Sequence, residues 1–282
     1  MKSKLYISIL IALFTLPFFS TAQDLISVSE LGKLLKDKNT IIVSCRKAAD
    51  YKQVHIAGAV NIWHKDLYKE GEVKDLIKSP EELAKIFGAN GINQDMKIVL
   101  YDAGESKYAG RVYWILKYLG AKDVKILDGH MDAWRKGRKP VTKNPTKITA
   151  VTFTPAVDNS IIATMAQVKA TKGILVDVRD PGEYNGTEGK TKKFGHIPGA
   201  INLEFKNVTN EDGTIKTKEQ LEAIFKAAGI NGDKEVILYC ASSVRAGIVF
   251  LALTTIMNYP NIKVYDGAFQ EWEVTAGCEV VK

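Results

Sequence analysis

Val236-Ile237-Leu238-Tyr239-Cys240-Ala241-Ser242-Ser243-Val244-Arg245-Ala246-Gly247-Ile248-Val249-Phe250-Leu251 is the stretch that decides the fold. Its first four residues are a short apolar run ending in a polar loop, the pattern of a buried strand. The loop Cys240 to Arg245 leads straight into an apolar helical segment. In an open α/β sheet, ligands bind beyond the carboxyl ends of the strands, and Cys240 stands at such an end. A helix N-terminus carries unpaired N–H groups and partial positive charge. A thiol held there is favoured as thiolate, the nucleophilic form. The main-chain N–H groups of Ala241, Ser242, Ser243 and Val244 can cradle an anionic sulfur.

The same pattern occurs twice. His55-Ile56-Ala57-Gly58-Ala59-Val60-Asn61 reappears as His196-Ile197-Pro198-Gly199-Ala200-Ile201-Asn202. Ile98-Val99-Leu100-Tyr101-Asp102 matches Val236-Ile237-Leu238-Tyr239-Cys240, and Asp128-Gly129 with Trp134 matches Asp266-Gly267 with Trp272. A repeat this long is a duplicated domain rather than a solenoid. Each copy alternates short β-branched runs with helical periodicity, such as Leu221, Ile224 and Phe225 before Gly229. The expected fold is therefore α/β: two tandem domains, each a parallel sheet flanked by helices. The expected bounds are 24–140 and 160–282. Between them, 141–159 is polar, basic and aperiodic, as a linker is.

The chain has 282 residues and a formal net charge of +7. Its lysines are dispersed, and no basic stripe with interleaved aromatics marks nucleic-acid binding. Residues 1–22 read as an export signal. Lys2 and Lys4 precede an apolar segment from Leu5 to Phe19, and Ser20-Thr21-Ala22 offers small residues for cleavage after Ala22 or Gln23. The apolar core is too short for a comfortable membrane span. A bacterial periplasmic or secreted protein with no membrane attachment after cleavage is expected. Cys45, Cys240 and Cys278 make an odd count, so at least one is unpaired within the chain, and Cys240 is the natural candidate. No glycine-rich phosphate loop precedes a helix, so no nucleotide cofactor is expected. His64 and His130 lack partners at ligand spacing, so no metal is expected.

Asp177-Val178-Arg179, Gly195-His196-Ile197-Pro198-Gly199-Ala200, the Cys240 loop and Asp266-Gly267 with Trp272 together resemble the tandem rhodanese-type sulfurtransferases. The resemblance covers the whole chain after the leader. It implies an inert first domain, with Asp102 at the cysteine position, and a catalytic second one. It also implies a ping-pong reaction. Cys240 takes a sulfane sulfur from a small anionic donor, thiosulfate or 3-mercaptopyruvate, and passes it as a persulfide to cyanide or a thiol, including a protein thiol. Arg245 either holds an anionic donor, holds the loop, or forms a structural salt bridge. Arg179 either binds the donor or pairs with a carboxylate such as Asp180. Its neighbour Glu183 stands where the family carries a donor-binding arginine, and Ser243 stands where the loop carries glycine. The Cys-x4-Arg spacing is one residue shorter than the Cys-x5-Arg cradle of cysteine phosphatases. A sulfur carrier or sensor acting with a protein partner uses the same loop. His55 and His196, kept in both copies, are expected to be structural.

Overall fold

The computed structural model describes residues 24–282; the predicted leader lies outside the described residues. Two five-stranded sheets, parallel throughout, share one topology. The first runs Leu25–Ile26, Asp123–Leu127, Lys97–Tyr101, Thr40–Ser44, Val60–Asn61. The second runs Ile162–Ala163, Ile262–Tyr265, Val236–Tyr239, Ile174–Asp177, Ile201–Asn202. Val236–Tyr239 is central and buried at all four positions, as an apolar run without alternation requires when helices cover both faces. Its end, and hence Cys240, is thereby set at the rim of the sheet between two neighbouring strands.

Four of the helices start where side chains satisfy their first N–H groups. Ser27 and Ser79 in the first copy, and Thr164 and Thr217 in the second, each form a capping box with Glu30, Glu82, Gln167 and Gln220. Each box satisfies two otherwise unpaired donors.

The segment expected to be a free linker is instead a strap along the first domain. Val141–Thr142 pairs antiparallel with His55–Ile56. The same edge in the second copy is covered by the chain's own tail, where Val281 bridges His196. Further along, Thr146 Oγ1 donates to Ala59 O at 2.7 Å, Val151 N–H to Gly88 O at 2.9 Å and Ala156 N–H to Leu119 O at 2.9 Å. Phe153 is buried there. Main-chain pairing and one anchoring aromatic carry no periodic signature, so the strap reads as linker in sequence.

The two domains do not merely touch. Their largest apolar cluster runs through both, from Leu100, Val112 and Trp114 to Cys240, Ile248 and Phe250. The helices that follow the two cysteine-position loops, Lys107–Tyr118 and Ala246–Leu251, cross at glycines. A Cβ on Gly110 would lie 2.5 Å from Ile248 N, and one on Gly247 would lie 2.2 Å from Gly110 O. Both atoms belong to backbone that cannot move alone. The Asp-Gly motifs complete the junction reciprocally: Asp128 Oδ1 accepts from Ile215 N–H at 2.8 Å, and Asp266 Oδ2 from Ile77 N–H at 3.1 Å. Gly247→Ala should therefore destabilise the protein by about 3 kcal/mol, the upper range of overpacking costs, read from denaturant unfolding. A variant as stable as the parent would show that the helices can separate without penalty.

Candidate active site

The Cys240 loop is pinned from one side by the strand-to-helix turn after Ile262–Tyr265. Phe269 N–H donates to Cys240 O at 3.0 Å, Gln270 N–H donates to Ala241 O at 3.1 Å, and Ser243 Oγ donates to Tyr265 O. Ser243 adopts φ 55°, the left-handed region that glycine enters more cheaply. The buried Ser243–Tyr265 contact offsets that strain. The loop ends with Arg245, whose N–H donates to Cys240 Sγ at 3.4 Å. Cys240 itself is 1% exposed, so the sulfur lies at the bottom of the loop and only a small reactant reaches it without loop movement.

The first copy shows what this loop geometry binds. The two oxygens of Asp102 accept four main-chain hydrogen bonds. Gly104 N–H (2.8 Å) and Ser106 N–H (3.2 Å) donate to Oδ1; Tyr108 N–H (3.2 Å) and Ala109 N–H (3.1 Å) donate to Oδ2. Ser106 has φ 61°, the counterpart of Ser243. The loop is thus an anion cradle, filled by a carboxylate tethered to its own chain. Tyr108 N–H occupies the place that Arg245 N–H has in the second copy. His130, which has no counterpart in the second copy, braces this loop: its Nδ1 accepts from Asp102 N–H at 3.1 Å, and its Nε2 meets Ser106 Oγ at 2.9 Å. Ala268 stands at the matching place in the second copy, also at positive φ.

Arg245 forms a structural clamp. Its Nη1 donates to Asp180 Oδ2 at 2.7 Å and to Glu183 Oε2, and its Nη2 to Glu183 Oε1 at 3.0 Å. Burial opposes its charge, but Cys240 and Glu183 beside it outweigh burial and hold the guanidinium protonated well above its ordinary range.

Of the two expectations for Arg179, the structure shows the carboxylate pair, with a different partner from the one named. It is fully buried, and its partner is Asp177 rather than Asp180. Nε lies 2.9 Å from both Asp177 oxygens, Nη2 lies 2.5 Å from Oδ2, and Nη2 also donates to Gly195 O at 2.7 Å. Its guanidinium lies 4.0 Å over the Phe269 ring. The first copy holds Arg46 by a similar main-chain contact, donating to Val54 O just before His55, with Ser44 Oγ at 3.4 Å where Arg179 has Asp177. An arginine that grips the segment before the repeated histidine in both copies braces the chain, and Arg179 Nη1 is left buried without a hydrogen-bond partner among the described residues.

His55 and His196 also act alike. Each stacks on a tyrosine, Tyr51 or Tyr184, and bonds that tyrosine's carbonyl through Nδ1, at 2.8 Å and 3.0 Å. His64 lies under Tyr108 and bonds Tyr68 OH at 2.8 Å. Burial, then the charges of Arg111, Lys65 and Lys107, depress its pKa to about 3, so it is neutral at physiological pH. Cys45 and Cys278 are free and buried. Burial, then the charge of Asp102, pushes the Cys45 thiol well above its ordinary value, so it is no rival nucleophile.

Sequence reasoning missed Arg111. It is wholly buried and reaches across the domain junction to Asp266 Oδ1 at 2.6 Å, also donating to Asp75 O at 3.1 Å. Ile248 stands at its place in the second copy, so the internal repeat gave no signal for it.

Comparisons with known proteins agree with this architecture. The family model described as a rhodanese-like domain matches residues 27–137 and 162–275. The sulfur carrier protein TtuD of Thermus thermophilus is 36% identical over 250 residues, covering 82% of this chain and 87% of that protein. A Mycolicibacterium smegmatis protein named "Putative thiosulfate sulfurtransferase" is 31% identical over 269 residues, covering 91% and 96%. Among solved structures, Escherichia coli SseA, a 3-mercaptopyruvate sulfotransferase, superposes with TM-score 0.81 at 28% identity, covering 87% of this chain and 98% of that one.

Replacing Asp102 by alanine removes the acceptor from four N–H groups. Each buried donor left unpaired costs about 1–3 kcal/mol, with partial relief by water. Asp102→Ala should lower unfolding free energy by about 3 kcal/mol or more while sulfur chemistry at Cys240 persists in the folded fraction. Unchanged stability would mean that the cradle does not need its carboxylate.

Proposed function

The chain belongs to the rhodanese family as a tandem sulfurtransferase, and from that premise we propose that Cys240 carries a sulfane sulfur from thiosulfate to a thiophilic acceptor. The observation that supports this reading is the placement of Cys240 Sγ under the Arg245 N–H, in a loop whose twin wraps four amides around an anion.

The Cys240 thiolate attacks the outer sulfur of thiosulfate. The new Sγ–S bond forms as the donor's S–S bond breaks, and the electron pair leaves with sulfite. The loop amides take up the negative charge on the transferred sulfur, as an oxyanion hole does for oxygen. Cyanide or a thiolate then attacks the terminal sulfur and regenerates the Cys240 thiolate. With 3-mercaptopyruvate as donor, the leaving group is the carbanion of pyruvate, which is protonated. The first domain contributes no nucleophile, because Asp102 fills the position and its carboxylate is already committed.

A second reading is favoured by the similarity to a sulfur carrier protein. In it, the persulfide is held and handed to a protein thiol without free turnover.

Thiocyanate formation from thiosulfate and cyanide, with intact-mass detection of one added sulfur, separates these readings. The turnover reading expects thiocyanate from the parent protein and a loss of about a thousandfold or more in Cys240→Ser, the scale for removing a covalent nucleophile. The carrier reading expects the added sulfur without multiple turnovers. Equal thiocyanate formation by parent and Cys240→Ser, with no sulfur added to the parent's Cys240, overturns both.

We also propose, from the leader, that the protein is exported to the periplasm or beyond. N-terminal sequencing of protein from the producing cell should begin at Gln23 or Asp24. A mature chain beginning at Met1 would contradict export by cleavage.

A further inference from the structure

Arg245 supplies both the main-chain N–H on the sulfur and the guanidinium beside it. That guanidinium is already taken. Glu183 meets it with both oxygens and Asp180 adds a third contact. The side chains of Arg245 and Glu183 are only 16% and 17% exposed, so solvent screens the pair weakly. Asp180 is shared in turn with Lys206 Nζ at 2.6 Å, and Lys206 reaches Glu204 Oε1 at 2.6 Å. Three carboxylates, Asp180, Glu183 and Glu204, thus face two cations, Arg245 and Lys206, and the network carries one net negative charge. The other arginine that the sequence points toward the donor, Arg179, is buried against Asp177. Arg245 therefore presents an already committed guanidinium to an incoming donor, while Arg179 is sealed from solvent with only its Nη1 unpaired among the described residues.

Thiosulfate brings two negative charges to a thiolate. A bidentate Arg–carboxylate pair gives up its geometry reluctantly. A dianion must either share Arg245 with two carboxylates or approach without it.

We propose that Glu183 is a specificity-determining residue, a positioning group that acts through Arg245 by committing its guanidinium, so that affinity for dianionic donors is low and donors with little net charge next to the transferable sulfur are favoured. This inference rests on the sulfur-transfer reading of Cys240. The favoured class is the persulfide of a small thiol. In that reaction the Cys240 thiolate attacks the outer sulfur of R–S–SH, the new S–S bond forms, and the electron pair leaves with RS⁻. The proton on the transferred sulfur passes to solvent, and RS⁻ takes one up.

The test compares saturation kinetics of the full chain with two donors, cyanide being the acceptor. One donor is thiosulfate. The other is 2-aminoethyl persulfide, whose ammonium offsets its own sulfur charge. Glu183→Gln should lower KM for thiosulfate about tenfold, the scale of one released charge at a partly buried site, while kcat/KM for 2-aminoethyl persulfide moves by less than about threefold. Asp180→Asn should shift thiosulfate KM in the same direction by less, because Asp180 makes one of the three contacts. It also serves if the Glu183 variant does not fold. A general loss of loop structure would depress both donors together. An unchanged thiosulfate KM in the folded variants, or parallel shifts for both donors, overturns the proposal. Failure of the parent protein's Cys240 to acquire sulfur from either donor is a different result: it overturns the sulfur-transfer reading and this inference with it.

Discussion

Main-chain N–H groups that converge on one point inside a protein require an acceptor there, because a buried donor left unpaired costs about 1–3 kcal/mol. That requirement organises both halves of this molecule. The strand-to-helix turn is too tight for its amides to bond one another, so they face inward and select whatever side chain stands first in the loop. In one half that side chain is Asp102, whose two oxygens satisfy four donors. In the other it is Cys240, with one contact at 3.4 Å. The two loops are related devices with two fillings, the first longer by one residue. The difference in filling is what distinguishes the two halves at this position.

The surrounding architecture serves those devices. Each loop leads into a helix that crosses its twin at a glycine. Each Asp-Gly turn behind one loop accepts an N–H from the other domain. The Cys240 loop is thus held by a junction built from both copies, and the first copy forms half of the mount. Arg111 breaks the symmetry. It spans only from the first copy to Asp266, beside the turn that pins Cys240, and tightens the junction on the catalytic side. Two of its nitrogens, Nε and Nη1, have no hydrogen-bond partner among the described residues. The Tyr68 and Trp114 rings face the guanidinium instead, at 5.3 and 5.0 Å, which offsets part of that cost.

What was legible in the sequence is what repeats or is local. The sheets follow from apolar runs without alternation. The histidines read as structural because a copy without a nucleophile keeps them, and their stacking on Tyr51 and Tyr184 supplies the reason. The non-glycine residue at Ser243 correctly marked a strained backbone position. Partner choice was not legible. Arg179 turns back to Asp177, two positions earlier, because the residue between them points to the other side of the strand end. Spacing alone does not distinguish that from Asp180. Glu183 reads in sequence as a missing cation. In space it is an added anion that captures Arg245 from 62 positions away. The strap over 141–159 was invisible because backbone hydrogen bonds leave no trace in side-chain pattern.

The geometry of the twin loops also bears on which state of Cys240 the fold favours. A carboxylate offers two acceptor atoms, and the first loop gives each of them two N–H groups. A thiolate offers one atom and meets one N–H within range among the described residues. A persulfide offers two atoms about 2 Å apart, comparable to the spacing of two carboxylate oxygens, with the negative charge on the outer one. Adding the second sulfur therefore makes the reactive loop resemble its inert twin more closely than the empty thiolate does. On the proposed sulfur-transfer reading, a loop of this shape would stabilise the loaded intermediate relative to the resting thiol, favouring the first half-reaction and raising the demand on the acceptor in the second. The buried position of Sγ works in the same direction, since water and bulky thiols are kept from the intermediate. Capture is thereby made easier than release, and release becomes the step at which an acceptor with access to the loop is selected.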